Sequence, residues 1–503
     1  MFDRSRWWLW ASLDPRSVAA FRIALGTVTV GDALARTRDL APMLAPDGIF
    51  PPQLVRESLG GVTAWSLAWL DDSLAWGGLL LTFQALAGAA LACGWATWLA
   101  APVAWALVVS VIRRTAPACN AGDTLLACLL LWACFLPTAT AWSIDRRAAR
   151  PPGRPIDAAI ACPGSAALVL QLAIVYASAG IAKCNADWLS GAAVGRVLSV
   201  HDHGTAIGSA LAGFPWLTVP AAYAVVGFEL AAAPLLLAWP TPLVRGTLAG
   251  GCILFHLLVW LTTSVGLFAP VGIAAWLALL PGCTWDRIAR RRNVGDDRVR
   301  ANVAVRPSPA TAWLVVPLVA VMLASAVVAH RPATLTVPAP LRMAIRLTFL
   351  EQDWRMFGEV PAQTQWVRAR ATRGDGVEID LLRKGVPDGA GPPAGGYGTL
   401  PHHRWHKLCW DLHRPVQRRF APSLAAVLAR DWNRSHGPGD RVVAVEIRAG
   451  RVRDGTTAEW VLGSWPDRSA SGRGNLDRFL GRVGGTTGAP ADEPPGDRPA
   501  AGR

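Results

Sequence analysis

From Leu74 to Ile112 the chain carries no acidic or basic side chain. A run of that length has room for two membrane-crossing helices of about 20 residues each, hinged near Gly94-Trp95 and closed by Arg113-Arg114. Comparable segments recur at Ser17 to Ala35, Asn120 to Pro137, Ala166 to Ala182, Val219 to Trp239, Leu243 to Leu261, Val265 to Leu280 and Ala312 to Val328. Inside hydrocarbon every backbone polar group must be paired by the protein itself, which leaves helices or closed barrels. Long uninterrupted apolar runs select helices. The fold class predicted is therefore an all-α polytopic membrane bundle of about eight or nine transmembrane helices. From about Pro332 the composition becomes that of a small α+β extramembrane domain. It has a hairpin over Gln363 to Leu382, a helix over Pro422 to Trp432 and strands over Arg441 to Ile447 and Thr457 to Trp465. The domain limits are an interfacial N-terminal segment at 1–16, the bundle at 17–330, the extramembrane domain at 331–466 and a Gly, Pro and Arg-rich tail, read as disordered, at 467–503.

Composition narrows the function classes. With 52% hydrophobic and 17% charged residues, the chain is not a string of soluble domains. The net charge of +14 raises nucleic acid as a partner, but the arginines flank the apolar runs, where they orient a membrane protein. Lipid, and not nucleic acid, is the partner this implies. Counting arginines places the N-terminus in the cytoplasm and, with nine spans, the C-terminal domain outside. The arginine, alanine and glycine excess with so little lysine suggests a GC-rich bacterial genome, and the expected location is the bacterial inner membrane. The opening MFDRSRWWLWASLDPRS lacks an apolar leader core and a small-residue cleavage site, so it reads as retained. Its Trp7, Trp8 and Trp10 suit a helix lying in the interface. None of the nine cysteines forms a CxxC pair, so spacing indicates neither a zinc site nor a disulfide framework. Walker, Rossmann, GxSxG and HExxH patterns are all missing. A GxxxG at Gly246 and Gly250 reads as a close helix contact.

Of the 49 Lys and Arg residues only Lys183, Lys384 and Lys407 are lysines, and Lys183 alone lies among the membrane segments. An anchor that snorkels to head groups is served equally well by arginine. A base is not, because only the lysine loses its proton when desolvated. Lys183 is the catalytic candidate on that ground. Arg22, Asp32, Asp123, Glu229 and His256 are ionisable groups within or at the mouths of spans; such groups face the bundle interior, a wet cavity or each other. They either shape a pocket around Lys183 or pair among themselves, Arg22 with Asp32 or Glu229, to hold helices together. In the extramembrane part, His402, His406, Cys409 and His413 would share a helix face and form the weak candidate for a metal site. The same segment also reads as a basic amphipathic helix, and no metal is expected.

Taken in order, DPRSVAAFRIALG, DGIFPP, NAGD with FLPTATAWSID, and AGIAKCNADWLSG resemble the HTTM family, bacterial relatives of the vitamin K-dependent gamma-glutamyl carboxylases. The resemblance covers roughly Asp14 to Pro281 and extends to LEQDWRMFGEVP and the RWHK to RDWNRS region. It implies that Lys183 is the base that deprotonates a reduced quinone, vitamin K or menaquinol, with O2 and CO2 as co-substrates and a peptide or protein glutamate as acceptor. Asn185, Asp187 and Trp188 are the motif residues that follow Lys183, and Phe255-His256 resembles a carboxylase feature. One departure is plain: Thr140 stands where the carboxylases carry a histidine ahead of the WS-x-D element. A carboxylase-like lyase is thus one implied function. The alternatives are a non-enzymatic factor for peptide maturation or export and a carrier of small solutes or protons.

Overall fold

The computed structural model describes residues 6–60, 64–149, 159–291, 309–331, 336–387, 389, 391–453 and 455–466. The tail at 467–503 and most of the arginine run that follows Arg291 lie outside the described residues. The membrane part comprises α1 (Pro15–Thr37), α2 (Leu74–Cys93), α3 (Thr97–Arg114), α4 (Ala121–Ala133), α5 (Pro163–Ala182), α6 (Pro215–Ala238), α7 (Pro242–Thr262), α8 (Phe268–Leu277), α9 (Gly282–Arg291) and α10 (Pro309–Ala329). Asp14 caps α1 ahead of Pro15, and Asn120 with Asp123 forms a capping box on α4, so local chemistry sets both starts.

Among the described residues seven helices are long and apolar enough to cross a membrane, or eight if the bent α8 and α9 pair is one span. Two predicted spans differ from expectation. Helix α4 has only 13 residues, and α8 meets α9 at 87°. In both places apolarity continues into turns, at Cys134 to Pro137 and at Ala278 to Pro281, and hydropathy does not separate a buried turn from a helix. The contact predicted from GxxxG is also not made, since a Cβ on Gly250 would meet nothing within 4 Å. The close approach is elsewhere: a Cβ on Gly26 of α1 would lie 2.5 Å from Ala92 N and Gly88 O of α2.

Contacts between helix ends sort the bundle into two faces. On one, Arg16 pairs with Asp286 at 2.8 Å, Leu13 pairs with Ile160, Asp145 Oδ1 accepts from Ala96 N, and Arg245 donates to the carbonyls of Leu9, Trp10 and Ser12. The predicted interfacial segment is therefore fastened to the bundle as a short 3-10 turn, Arg6–Ala11. On the opposite face lie the C-terminal ends of α1, α3 and α5 and the start of α4, and there the extramembrane domain docks.

That domain is α+β, as predicted. It holds α11 (Ala339–Thr348), β1 (Gln363–Arg373), β2 (Glu378–Asp380), β3 (Val386–Pro387), α12 (His403–Asp411), α13 (Ala421–Ser435), β4 (Val442–Arg453) and β5 (Thr456–Trp465). The strands form one antiparallel sheet in the order β3-β2-β1-β4-β5. Leu424, Ala425 and Val427 of α13 and Val445, Ile447 and Ala449 of β4 are buried in one core, which also takes in Ile49, Phe50 and Val55 from the loop after α1. The domain and the bundle share that core, so the domain's position is fixed by apolar burial.

Candidate functional site

Lys183 caps the end of α5 and is only 3% exposed. Its ammonium group pairs with Glu229 Oε2 of α6 at 2.9 Å and donates to the carbonyls of Met356 at 3.1 Å and Ala179 at 3.4 Å. The three motif residues that follow hold the same stretch of chain. Asn185 Nδ2 donates to Gly358 O at 2.6 Å, the Trp188 indole donates to Phe357 O at 2.7 Å, and Asp187 accepts from Val360 N at 3.1 Å while pairing with Arg196 at 2.9 Å. All four motif side chains thus grip residues 356–360, which arrive from beyond the membrane bundle.

That stretch continues an extended segment from Leu350. Leu350, Gln352 and Trp354 point into the bundle, where Gln171 donates to Gln352 Oε1 at 2.6 Å and Trp354 does so at 2.7 Å. Glu351, Asp353 and Arg355 face the other way and line a cavity of about 1180 Å³ at the seam between bundle and extramembrane domain. From the bundle side Ile112 and Phe268 line it together with Arg113, Asn120 and Thr124, and Phe349 joins them; the rest of the wall carries Lys407, Trp410, Arg414 and the histidines at 203, 403, 406 and 413. Ala182, Asn185, Met356 and Phe357 belong to the wall, whereas Lys183 and Glu229 lie behind it.

The other sequence candidates are not gathered around Lys183. Among the described residues Arg22 pairs with no carboxylate; it donates to the carbonyls of Thr138, Ala141 and Trp142 at 3.0, 3.2 and 2.6 Å and so holds the FLPTATAWSID loop on the opposite face. Asp32 and Asp123 form a separate buried quartet with Arg36 and Arg404. Arg36 reaches Asp32 at 2.9 Å and Asp123 at 2.7 Å, and Arg404, from α12, reaches them at 2.6 and 3.0 Å. Gln84 adds a bond to Asp32 at 2.9 Å. Neither Arg36 nor Arg404 stood out in the sequence; the i, i+4 spacing of Asp32 and Arg36 on one helix was the available signal. His256 Nε2 lies 2.9 Å from Tyr176 Oη, which accepts from the Trp276 indole at 2.7 Å. The direction of the Tyr176–His256 bond is set by the imidazole tautomer, since a phenol oxygen that accepts from the indole still has a donor and a second lone pair. Phe268 packs on the imidazole and stands between it and the cavity.

Residues 69–285 match the sequence model of the HTTM domain. The chain carries an HTTM domain. No curated protein and no solved structure matches the chain. Lys183, Glu229 and His256 all lie within the HTTM domain, while Arg22, Asp32 and Arg36 precede it and the gripped segment 356–360 and Arg404 follow it. With the matched domain and its membrane-capable helices the chain is a multi-pass membrane protein that carries an HTTM domain.

The weak metal candidates diverge beside the HTTM domain. His402 Nε2 bonds Asp39 at 2.5 Å, His406 stacks on Tyr397, Cys409 is fully buried and His413 packs against Trp460. Among the described residues no group of three His, Cys, Asp or Glu side chains is placed to hold a metal ion. Helix α12 ends at Asp411, so His413 leaves the shared face. Burial pushes the imidazoles of His403 and His413 down to about 4, and His406 well below its ordinary value. Burial would raise the Asp39 carboxyl, but hydrogen bonds from His402 and Trp405 outweigh it and take it below the usual carboxylate range.

Proposed function

We propose that the protein binds an amphipathic substrate in the seam cavity and carries out proton transfer on it with the Lys183 and Glu229 pair, in a carboxylase-like reaction. The observation that carries this reading is a buried lysine-glutamate pair at 2.9 Å directly behind the wall of a cavity that combines the aromatic rings of Phe268 and Phe349 with charged and polar side chains. Buried ion pairs at cavities are where protonation is matched to chemistry. Ligand pockets typically span about 300–1,000 Å³, so the space accepts a quinone ring with part of its tail. Phe268 and Phe349 would hold that ring and the outer polar side chains would hold its oxygens. When bound, a reduced quinone supplies an acidic hydroxyl and reducing equivalents for oxygen-dependent chemistry.

The chain's own part is the proton. An ammonium group has three hydrogens, and those of Lys183 are committed to Ala179 O, Glu229 and Met356 O. Lys183 becomes a base only by leaving a proton with Glu229 and parting from Met356. The test uses protein in lipid nanodiscs with menaquinol or vitamin K hydroquinone, oxygen and bicarbonate, reading quinone oxidation products by mass spectrometry. Product from wild type but from neither Lys183→Ala nor Lys183→Arg is the expected result. Product from Lys183→Arg would overturn the base role, since arginine keeps its proton.

A cavity of about 1180 Å³ lined by charged and polar side chains also suits a peptide segment, and maturation of a secreted peptide is the second reading. For orientation we infer that the face holding Arg16, Arg146, Arg245 and Arg287 is cytoplasmic and the face bearing the extramembrane domain is external, in a bacterial inner membrane.

A further inference from the structure

Met356 and Phe357 line the cavity, yet their carbonyls turn away from it, Met356 O onto Lys183 at 3.1 Å and Phe357 O onto the Trp188 indole at 2.7 Å. Neither Lys183 nor Trp188 lines the cavity. One layer of main chain therefore separates the lysine from the space a ligand would occupy. Resting on the reading of Lys183 as the reacting base, we propose that residues 355–360 form a strap that closes Lys183 off from the cavity, and that Asn185, Asp187 and Trp188 are positioning residues that hold the strap shut.

The anchoring is uneven in a way that suits a strap. Upstream, Leu350, Gln352 and Trp354 are sunk in the bundle, and Gln352 N also donates to Ser325 Oγ at 3.1 Å. Downstream, β1 begins at Gln363. Between these fixed points the side chains that hold the main chain are the motif residues and Arg196: Met356 O is held by Lys183, Gly358 O by Asn185, Phe357 O by Trp188, Val360 N by Asp187 and Val360 O by Arg196 at 2.7 Å, while Phe357 and Val360 pack beside Trp188. Phe357 has φ 54°, a left-handed conformation that L-residues keep only where their surroundings impose it. Releasing the grip removes what imposes it. Arg355 faces the cavity and pairs with Asp353 at 2.7 Å, so a ligand in the cavity touches the same short piece of chain that covers Lys183.

The chain's three lysines make the test direct. Full-length protein in nanodiscs is treated with a small amine acetylating reagent, and modification of Lys183 is read by mass spectrometry against Lys384 and Lys407. Weakening the grip with Asn185→Ala or Trp188→Phe is expected to raise Lys183 modification about tenfold, the weight of one hydrogen bond, with Lys384 and Lys407 unchanged. A Cβ on Gly358 would lie 3.2 Å from the Ala182 Cβ, a few tenths short of disulfide spacing. Adding Ala182→Cys and Gly358→Cys to the Asn185→Ala protein, in a Cys184→Ser background, is expected to restore protection when oxidised and lose it when reduced. Unchanged Lys183 modification in both grip variants, or undiminished modification in the oxidised lock, overturns the proposal. Modification that follows the strap while no variant makes product would instead sink the base reading and leave the strap standing.

Discussion

Lys183 and Glu229 are 3% and 5% exposed, so neutralising either one strands the other in a medium that stabilises charge poorly. Lys183→Ala is expected to lower stability by about 3–5 kcal/mol, measured by unfolding in nanodiscs. Lys183→Met combined with Glu229→Leu should recover most of that, and a double variant no more stable than Lys183→Ala would contradict the pairing. The lysine was visible in the sequence because it stands alone in an arginine-rich chain. Its partners were not, because 46 residues separate it from Glu229 and 173 from Met356, and no local pattern reports a contact between distant segments. For the same reason Arg22 could be recognised as a costly charge within a span, yet its carbonyl partners, which replace a carboxylate, could not be named. Asn185, Asp187 and Trp188 were picked out by resemblance; what they do, gripping 356–360, required the fold.

At the scale of elements, α12 ties the extramembrane domain to the bundle through charge, and Arg404 is its key contact. Losing it leaves Asp32 and Asp123 with Arg36 as the one remaining arginine of the quartet. Arg404→Ala should detach α12 and speed proteolysis of the domain, while Arg404→Lys should rescue only in part, since a point charge does not span two carboxylates. Equal protease resistance in all three proteins would rule this out. Acid acts on this helix and on the turn that follows it. Buried His403 and His413, held near 4, stay neutral in the folded protein while the unfolded imidazoles take up protons near 6.5. The unfolded state then binds more protons, so stability is full above about pH 6.5 and falls progressively toward pH 4. Asp39, whose carboxyl is depressed, contributes above its ordinary range and is lost only at lower pH. Hydrogen exchange across 403–411 should therefore accelerate between pH 6.5 and 4, and a flat profile would exclude the histidines as its cause. Helix packing gives a further contrast: Gly26→Ala should cost about 1–3 kcal/mol by overpacking α1 on α2, whereas Gly250→Ala, with open space around it, should be close to neutral in the same unfolding assay. Hydropathy located these helices well, because lipid forces long apolar runs into helices. It misjudged α4 and the α8 to α9 bend, where the apolar sequence continues through turns that protein, and not lipid, covers.

For the molecule as a whole, the two sets of helix-end contacts decide more than the count of long helices does. Counted by length, the described residues hold seven or eight helices able to cross a membrane. Followed by contacts, the chain alternates faces through the short α4 and the bent α8 as well, which brings α10 and the extramembrane domain to the face opposite Arg16 and Asp286. Lys183, the cavity and the quartet of Asp32, Arg36, Asp123 and Arg404 then all belong to the domain's face. This arrangement predicts a labelling asymmetry. Cys283 is exposed at the start of α9 on the Arg16 face, and a side chain at Gly439 would meet nothing within 4 Å on the extramembrane domain. In a background with Cys93→Ser and Cys184→Ser, an impermeant maleimide applied to intact cells should label Gly439→Cys at once and Cys283 only after permeabilisation. The reverse order would invert the protein in the membrane but keep its two faces. Equal labelling of both positions in intact cells would mean that the domain and the Arg16 face share a side, which the helix-end contacts forbid, and the seam cavity would then have to open toward the cytoplasm.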